Sequence, residues 1–315
     1  MPSMRGSQAS TGAQWAQLIR EELVERLMRA LPTDGAIEPL DGLRVRRESA
    51  PTGLGHGVSE PCFCVIAQGS KEVLLGTNRY SYDPLHYLIA TATLPIASRV
   101  TEASAEQPYV SVILKLTPAL VGSVMVEAAQ PAPRGATAVT AIDVSALDVG
   151  LLDAVVRLVR LLDSPGDARF LAPMVKREIV YRLLRSEQGG RLAQIAAMGG
   201  AAHRITEAIE RFRTAYNQPL RVEEVARALG MSVSGFHHHF RALTAMSPLQ
   251  FQKHLRLQEA RRLMLSEGLD AASAGYRVGY ANPSHFTREY KRLFGAPPRH
   301  DVEQLRGRVR TNVGI

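Results

Sequence analysis

A repeat of about 50 residues constrains the C-terminal third of the chain more than any other feature. In RVEEVARALGMSVSGFHHHFRAL, apolar residues at i, i+3, i+4 and i+7 predict a first helix, with Gly230 as its stop and Ser232 as the N-cap of a second. The first helix carries the apolar residues Val222, Val225, Ala226 and Leu229, and the second carries Val233, Phe236, Phe240 and Leu243. This pattern predicts two short helices joined by a glycine turn.

The segment DAASAGYRVGYANPSHFTREYKRLFG repeats this pattern. Its first apolar stripe lies 49 residues after the original and consists of Ala271, Ala274, Gly275 and Val278. The second stripe lies at an offset of 50 and consists of Phe286, Tyr290 and Leu293. Asn282 followed by Pro283 is a strong helix start. The repeat predicts two helix-turn-helix units, at about 220–243 and 270–294, and SPLQFQKHLRLQEARRLML between them predicts one longer linker helix.

The charge of the chain is concentrated in the same region. Residues 201–315 contain 18 Lys and Arg against 10 Asp and Glu, whereas the first 200 residues contain 20 of each. Seven of the nine histidines also follow residue 200. A neutral first part and a basic second part predict a polyanionic partner for the second part. The alternative is a solvated basic surface without a partner.

Three consecutive histidines in the first unit suggest a metal site. At about 100° per residue, His238 lies opposite the apolar stripe of its helix, and His237 and His239 flank that stripe. Adjacent helical residues cannot converge on one ion, because a helical pair of ligands needs i, i+4 spacing. We therefore predict no metal here and interpret the histidines as a surface that faces a DNA groove. The same projection places Arg288 opposite the stripe of the second unit.

The region 203–306 resembles the DNA-binding region of AraC/XylS-type transcriptional regulators. The resemblance rests on VEEVARALGMSVSGFHHHFRALTAMSPLQFQKHLRLQEARRLM and, more specifically, on RVGYANPSHFTREYKRLFGAPP, with V-G-Y, a short polar turn, F-x-R-x-Y/F-K and F-G-x-x-P. It implies that the linker helix holds the two units apart so that both second helices enter successive major grooves of double-stranded DNA. The expected DNA-binding residues are Ser234, His237, His238, Arg241, Asn282, Ser284, His285, Arg288 and Arg292.

Two glycines lie inside predicted helices, where each costs about 1 kcal/mol relative to a better helix former. We expect Gly275 to permit close packing between helices. We expect Gly235 to loosen the first recognition helix, which makes base contacts by that unit less certain than those by the second.

The first half of the chain has the pattern of a β domain. CFCVIAQGSKEVLLG, RYSYDPLHYLIAT, IASRV and PYVSVILKL are short apolar or alternating runs separated by turn residues, which predicts antiparallel strands in a small barrel or jelly roll. EPCFCVIAQGSKEVLLG, YDPLHYLIATATLPIASRVTEAS and PYVSVILKLTPALV also resemble the N-terminal domain of one subgroup of the same family. That resemblance implies a cupin-like domain that senses a small molecule.

Three residues are candidates for effector sensing: Cys62, Cys64 and His86. The cysteines stand at i and i+2, so in a strand both thiols point to one face and could react with an electrophile or oxidant. The alternative is that they are small buried hydrophobic residues. A cupin enzyme would need a cluster of histidines and a carboxylate, but the first 200 residues contain only His56 and His86, in no H-x-H pattern. We therefore predict no enzymatic activity, metal or cofactor.

The segment after the predicted strands, LLDAVVRLVRLLDSPGDARFLAPMVKREIVYRLLRSEQGG, predicts two helices. The first has an apolar stripe of Leu151, Val155, Leu158 and Leu162. The family resemblance implies a dimer seam at this place, and the alternative is that the stripe packs on the barrel.

Together these patterns predict an α+β protein with five segments: an N-terminal helical segment (1–35), a sensory β domain (36–145), a helical dimerisation region and linker (146–200), the DNA-binding domain (201–306) and a tail (307–315). No apolar run approaches the roughly 18 residues of a membrane span, no signal peptide is present, and two cysteines do not form a disulfide framework. We expect a transcription regulator of the bacterial cytoplasm, associated with the nucleoid when bound. Its expected partners are double-stranded DNA, a second copy of the chain, RNA polymerase and an unknown small-molecule effector. The alternatives are a metal-dependent cupin enzyme fused to a DNA-binding tail and an architectural DNA binder without a ligand.

Overall fold

The computed structural model describes residues 4–128, 140–196 and 201–312, and the side chains of residues 14–128, 140–196 and 201–307. The predicted segments 1–35, 36–145, 146–200 and 307–315 therefore each include residues outside the described ranges. An N-terminal part with two β-sheets is followed by an all-helical C-terminal part, which confirms the predicted α+β class. Among the described helices, none is long and apolar enough to cross a bilayer.

Two antiparallel sheets form the β domain. The strands are β1 (Gly35–Leu40), β2 (Leu43–Glu48), β3 (Gly55–Ser59), β4 (Cys62–Gln68), β5 (Ser70–Leu75), β6 (Asn78–Tyr82), β7 (His86–Ala90), β8 (Leu94–Glu102), β9 (Tyr109–Lys115) and β10 (Ile142–Ala146). The six-stranded sheet has the order β1-β2-β9-β4-β7-β10, and the four-stranded sheet has the order β3-β8-β5-β6. The described strands do not close into one barrel, so the domain is like a jelly roll. The runs predicted as strands form β4 to β9, whereas β1 to β3 precede the region in which the sequence predicted strands.

Helices cover the outer face of the six-stranded sheet. They are α1 (Met4–Ala30), α2 (Pro118–Glu127), α3 (Val149–Arg160), α4 (Pro165–Arg185) and α5 (Gly189–Ala196). The core between them and the sheet contains Leu23 and Leu27 from α1 and Phe63 from β4, all at most 2% exposed. The sequence predicted two helices here, which correspond to α3 and α4, and did not predict α2 or α5.

The stripe predicted as a dimer seam is buried inside this core. Leu151, Val155 and Leu158 are 1–2% exposed, because α3 packs between α1 and α4 within the core that these helices share with the sheet. Leu162, in a short 3-10 turn after α3, is partly buried against the same core. This burial contradicts the prediction of a dimer seam and supports the alternative, packing within the chain. The periodicity of an apolar stripe is the same whether its partner is the same chain or a second copy.

The C-terminal part consists of α6 (Ala201–Thr214), α7 (Val222–Ala228), α8 (Val233–Thr244), α9 (Pro248–Ser266), α10 (Ala271–Arg277), α11 (Pro283–Phe294) and α12 (Pro298–Asn312). The pairs α7–α8 and α10–α11 are the two predicted helix-turn-helix units, and α9 is the linker helix between them. Helices α6 and α12 flank the units, and α12 continues as helix through residues 307–312 of the predicted tail.

The two units have different cores. The aromatic residues of the first unit, Phe236 and Phe240, belong to an apolar cluster that continues into Val73 and Leu75 of the four-stranded sheet. The second unit has its own cluster, which includes Phe286 and Tyr290 and is shared with α9 and α12. The first unit is therefore part of one continuous core with the β domain.

Candidate functional site

The second helix of each unit, α8 or α11, is called its recognition helix below. Each of these two helices begins at a side-chain cap. Ser232 Oγ accepts a hydrogen bond from the backbone N–H of Gly235 (3.1 Å). Asn282 Oδ1 accepts from the N–H groups of Ser284 (2.8 Å) and His285 (3.3 Å). These caps satisfy N–H groups that have no partner within the helix. They fix where each recognition helix starts and therefore which residues face outward.

The turn before α11 requires glycine. Gly279 has a φ of +90°, and a Cβ there would lie 2.2 Å from the carbonyl oxygen of Asn217. Gly275, in α10, is packed against Phe286 so closely that a Cβ would lie 3.0 Å from the ring, which confirms the predicted close packing. Gly235 is different, because a Cβ there would lie 3.0 Å from the capping hydroxyl of Ser232. Glycine at this position leaves room for the cap of α8.

Each recognition helix presents a polar face outward. The apolar stripe predicted for each is buried at Phe236 and Phe240 of α8 and at Phe286 and Tyr290 of α11. On the opposite faces, the predicted DNA-binding residues are all exposed: Ser234, His237, His238, Arg241, Asn282, Ser284, His285, Arg288 and Arg292. The structure thus places every one of these residues where it is accessible to a partner.

The predicted DNA-binding residues differ in whether they already have partners within the chain. The Asn282 carbonyl oxygen serves the helix cap, so this side chain orients α11 and retains only its amide N–H groups for DNA. Arg292 forms an ion pair with Glu289 (2.8 Å), and Glu289 also pairs with Lys253 of α9 (2.8 Å). Arg288, by contrast, makes no hydrogen bond or ion pair with any described residue. It is the most available guanidinium on α11.

An offset of 50 residues relates the outward faces of α8 and α11. It pairs Ser234 with Ser284, His237 with Thr287, His238 with Arg288 and Arg241 with Lys291. The sequence-based prediction did not include Thr287 or Lys291. Both are exposed, and both line one shallow surface groove on α11 with Ser284 and Arg288. The repeat offset was the signal that could have identified them.

The chemistry of these faces suits a DNA groove. An arginine can grip guanine O6 and N7 at two points, whereas serine, threonine and histidine donate or accept single hydrogen bonds at base edges. Arg241 and Lys291 lie one helical turn beyond the central positions and carry the charge needed for phosphate contacts. Neither recognition face described here contains an exposed carboxylate.

A second candidate site is a cavity of about 750 Å³ in the β domain. Cys62 and Cys64 both line it, as expected for alternate residues of one strand. His86 does not line it, because it lies at the start of β7 with Nδ1 2.7 Å from Asp83 Oδ1. Of the three effector-sensing candidates, the structure therefore brings the two cysteines together and leaves His86 apart. Another histidine, His56, lines the cavity instead.

The environment of the thiols favours the protonated form. Burial raises the pKa of Cys62 to about 12, and it also raises the pKa of Cys64. The Tyr82 hydroxyl donates a hydrogen bond to Cys64 Sγ (3.2 Å). A reactive thiol needs a lowered pKa, because the thiolate is the nucleophile. The structure therefore favours the alternative of unreactive apolar residues over the prediction of a reactive pair, with Cys64 buried and Cys62 half-buried.

The helical C-terminal part also reaches this cavity. Arg213 of α6 is among the lining residues. The ring of His56 meets the ring of Phe294 edge to face, with centroids 5.0 Å apart. Burial, together with the nearby charge of Arg261, lowers the pKa of His56 to about 4. Among the described residues, no group of three or more His, Cys, Asp or Glu side chains is arranged to hold a metal ion.

Comparisons with known proteins match both parts of the chain. Residues 39–191 match the family model described as the AraC-type transcriptional regulator N-terminus, and residues 225–304 match a helix-turn-helix domain model. The chain belongs to the AraC/XylS family of transcriptional regulators.

Among curated relatives of this AraC/XylS protein, ArgR of Pseudomonas aeruginosa is 26% identical over 150 residues, which are 48% of this chain and 46% of ArgR. RhaS of Salmonella schwarzengrund is 25% identical over 162 residues, or 50% of this chain and 56% of RhaS. The chain thus spans about half the length of the relatives that it matches.

Solved structures of ToxT from Vibrio cholerae share the fold. One, bound to (E)-4-(8-methylnaphthalen-1-yl)but-3-enoic acid, has a TM-score of 0.54 at 12% identity and covers 83% of this chain and 97% of ToxT. Another, of wild-type ToxT with an unsaturated fatty acid, has a TM-score of 0.52 at 9% identity and covers 84% and 96%. At this identity the similarity shows the two-part architecture alone.

Proposed function

We propose that this AraC/XylS protein is a sequence-specific DNA-binding transcription regulator whose β domain binds a small-molecule effector. The observation that carries the proposal is the pair of exposed polar faces at equivalent positions of a duplicated helix-turn-helix unit. Two such faces, on units joined by the linker helix α9, suit two successive major grooves. The protein then acts in the bacterial cytoplasm on promoter DNA, and RNA polymerase is the expected further partner.

The test is binding of the intact chain to duplex DNA at several salt concentrations. Each phosphate neutralised by Lys or Arg contributes about 0.9 to the slope of log K against log salt concentration. We expect Lys291→Ala to reduce this slope by about 1 for all sequences, because Lys291 is placed for a phosphate contact. Lys115→Ala, on the β domain, is the control and leaves the slope unchanged. A slope near zero for the wild-type protein would contradict DNA binding by these faces.

Effector binding is supported by the cavity and by its contact with the DNA-binding part. The cavity has the volume of ordinary small-molecule sites. The names of two ToxT structures describe bound organic acids, which supports a small-molecule effector for this fold. A metal-dependent cupin enzyme lacks support, because the family consists of regulators. An architectural DNA binder would show no ligand-dependent thermal stabilisation, and this measurement separates it from a regulator.

We also propose that homodimers form through α4, in place of the buried stripe of α3. Phe170 and Met174, one turn apart on α4, are 73% and 65% exposed, and Tyr181 two turns later is 46% exposed. Met174→Asp is expected to give a folded monomer in analytical ultracentrifugation. Leu158→Asp is the contrasting variant, because a charge in the core unfolds the domain. A wild-type protein that is monomeric at micromolar concentration would contradict the proposal.

A further inference from the structure

One lysine lies at a core position of the four-stranded sheet. Lys71 alternates along β5 with Val73 and Leu75 and faces the interior with them. It is 9% exposed and lines the cavity. It makes no hydrogen bond or ion pair with any described residue. Removing an ammonium group from water costs free energy unless an opposite charge accompanies it.

Lys71 differs in this respect from the other cations that line the cavity. Each of the other four has a carboxylate neighbour within 4.0 Å: the pairs are Arg44–Glu38 (4.0 Å), Arg46–Glu48 (2.7 Å), Lys115–Glu60 (2.8 Å) and Arg213–Glu210 (2.9 Å). Among the described residues of the lining, Lys71 alone lacks such a partner. The site therefore has an unbalanced positive charge at its most buried cation.

The nearest charged and titratable groups do not supply the missing counter-charge. Arg46 lowers the pKa of Lys71 further, in the same direction as burial, which is the main cause. Cys64, Cys62 and Glu48 act in the opposite sense. Burial keeps both thiols protonated, and Glu48 is already paired with Arg46 (2.7 Å). A valine or leucine at this register would pack without any such cost. Retaining an amine here makes physical sense if a ligand pairs with it.

The cavity lining also has an apolar part. It includes Val73, Leu88, Ile96, Ile113 and Ile142. These side chains favour a ligand with a hydrocarbon body. The other cations of the lining already have carboxylate partners and therefore do not call for a second anionic group on the ligand. An anionic head group next to an apolar body describes a small carboxylic acid.

We propose that Lys71 forms an ion pair with the carboxylate of a small organic acid whose apolar body packs against Val73, Leu88 and Ile113. The proposal rests on the effector-binding function proposed above and specifies the class of effector. The ammonium and carboxylate form a charge-assisted hydrogen bond, which at a buried amine is stronger than its equivalent in water. Neutral molecules of the same shape lack this interaction and leave the amine unpaired.

The test is calorimetric titration of the full-length protein with three acids and their primary amides. The acids are octanoate, cyclohexanecarboxylate and 2-naphthoate, because their bodies differ while their head group is constant. In the wild-type protein we expect at least one acid to bind ten times or more tightly than its amide. In Lys71→Met, which keeps the length and removes the charge, the acid and the amide are expected to bind equally.

Lys115→Met is the matched control, because Lys115 lines the same cavity but has Glu60 as its partner. We expect this variant to retain the preference for the acid. The melting temperature of ligand-free Lys71→Met should equal or exceed that of the wild type, because the unpaired amine is gone. Should that variant fail to fold, the comparison of acid with amide in the wild type decides alone. The proposal is overturned if no acid binds better than its amide, or if folded Lys71→Met keeps the preference.

DNA binding is measured separately, with the same preparations and without any acid. If the wild-type protein did not bind DNA, the proposed function would be contradicted, but the calorimetric result on Lys71 would be unaffected. Normal DNA binding without a preference for any acid would contradict the role of Lys71 alone.

Discussion

The two helix-turn-helix units share one backbone plan but are held in different ways. The first unit shares its apolar core with the four-stranded sheet, and the N–H of Ala141 donates a hydrogen bond to the carbonyl of Leu243 at the end of α8 (3.0 Å). The second unit has a core of its own and touches the β domain at few points, such as the ring contact of Phe294 with His56. The two units therefore have the same helix spacing but pack against different parts of the chain. A change in the cavity is therefore expected to act on the first unit more directly.

The recognition faces differ as well. At the central position the first unit has His238 and the second has Arg288. A neutral imidazole makes one good hydrogen bond to a base edge, whereas a guanidinium makes two to guanine. We expect the first unit to transmit the state of the β domain and the second to supply more of the base discrimination.

The largest expected effect tests whether the cores are separate. Phe240→Ala and Phe286→Ala each remove a fully buried ring and should each cost about 3–5 kcal/mol of stability. Because the first core continues into the sheet, Phe240→Ala should also reduce hydrogen-exchange protection in β5. Phe286→Ala should reduce protection only in α9 to α12. Equal loss of protection in β5 for both variants would contradict the difference between the two units.

The next effect concerns base discrimination. Arg288→Ala should cost about 1–3 kcal/mol on the cognate site and flatten the preference at one or two base pairs. His238→Ala should cost less, because it removes a single hydrogen bond. Binding to a panel of single-base operator variants measures both. If Arg288→Ala weakened every variant by the same factor, Arg288 would be a phosphate contact and the groove orientation would need revision.

The sequence predicted those features that depend on local spacing. Stripes at i, i+3, i+4 and i+7, with glycine turns and polar caps, predicted both helix-turn-helix units and the outward position of Arg288 and His238. The caps at Ser232 and Asn282 formed as expected because the hydrogen bonds link residues two or three apart. Local geometry therefore determined most of the candidate DNA interface.

The sequence did not predict what depends on distant residues. The stripe of Leu151 and Leu158 has the same pattern in a dimer seam and in a core, and only the position of α1 and α4 distinguishes them. The sequence did not predict that Lys71 is buried, because a single lysine in a strand does not reveal which face of the sheet is buried. The thiol environment of Cys64 likewise depends on Tyr82, on another strand.

A smaller effect tests the contact between the first unit and the β domain. Gly76, in the turn between β5 and β6, has a φ of +60°, and a Cβ there would lie 2.6 Å from the carbonyl oxygen of Ala245 after α8. Gly76→Ala should therefore cost about 1 kcal/mol for its backbone conformation and, in addition, displace the end of α8. We expect operator affinity and its dependence on an effector to change severalfold.

Gly42→Ala is the matched control for this variant. Gly42 has a φ of +67° in the turn between β1 and β2, but a Cβ there would meet only Lys115 Cβ at an ordinary 3.4 Å. The same backbone cost therefore occurs without a clash against the DNA-binding part. Gly42→Ala should lower stability and leave DNA binding unchanged. If the two variants changed DNA binding alike, the contact at Ala245 would have no role in coupling.

The smallest effect tests the looser contact of the second unit, through the protonation of His56. The pKa of His56 is about 4 in the folded chain, against about 6.5 when exposed. Burial is the main cause of this lowering. The charges of Arg261 and His254 lower the pKa further, and Asp301 opposes them. The folded state therefore resists protonation. The stability that neutral His56 provides is complete above pH 6.5 and is lost as the pH falls towards 4.

After solvent screening, we expect His56 to account for about 1 kcal/mol of the stability lost between pH 7.5 and pH 5. His56→Gln removes this contribution and keeps the one from His254, whose pKa is also lowered by burial. The measurement is urea unfolding of both proteins at the two pH values. The wild type should lose more stability than His56→Gln, and the excess should appear in the transition of the second unit, because Phe294 belongs to that unit. If both proteins lost the same amount, the contact between His56 and Phe294 would be too exposed to hold the second unit against the β domain.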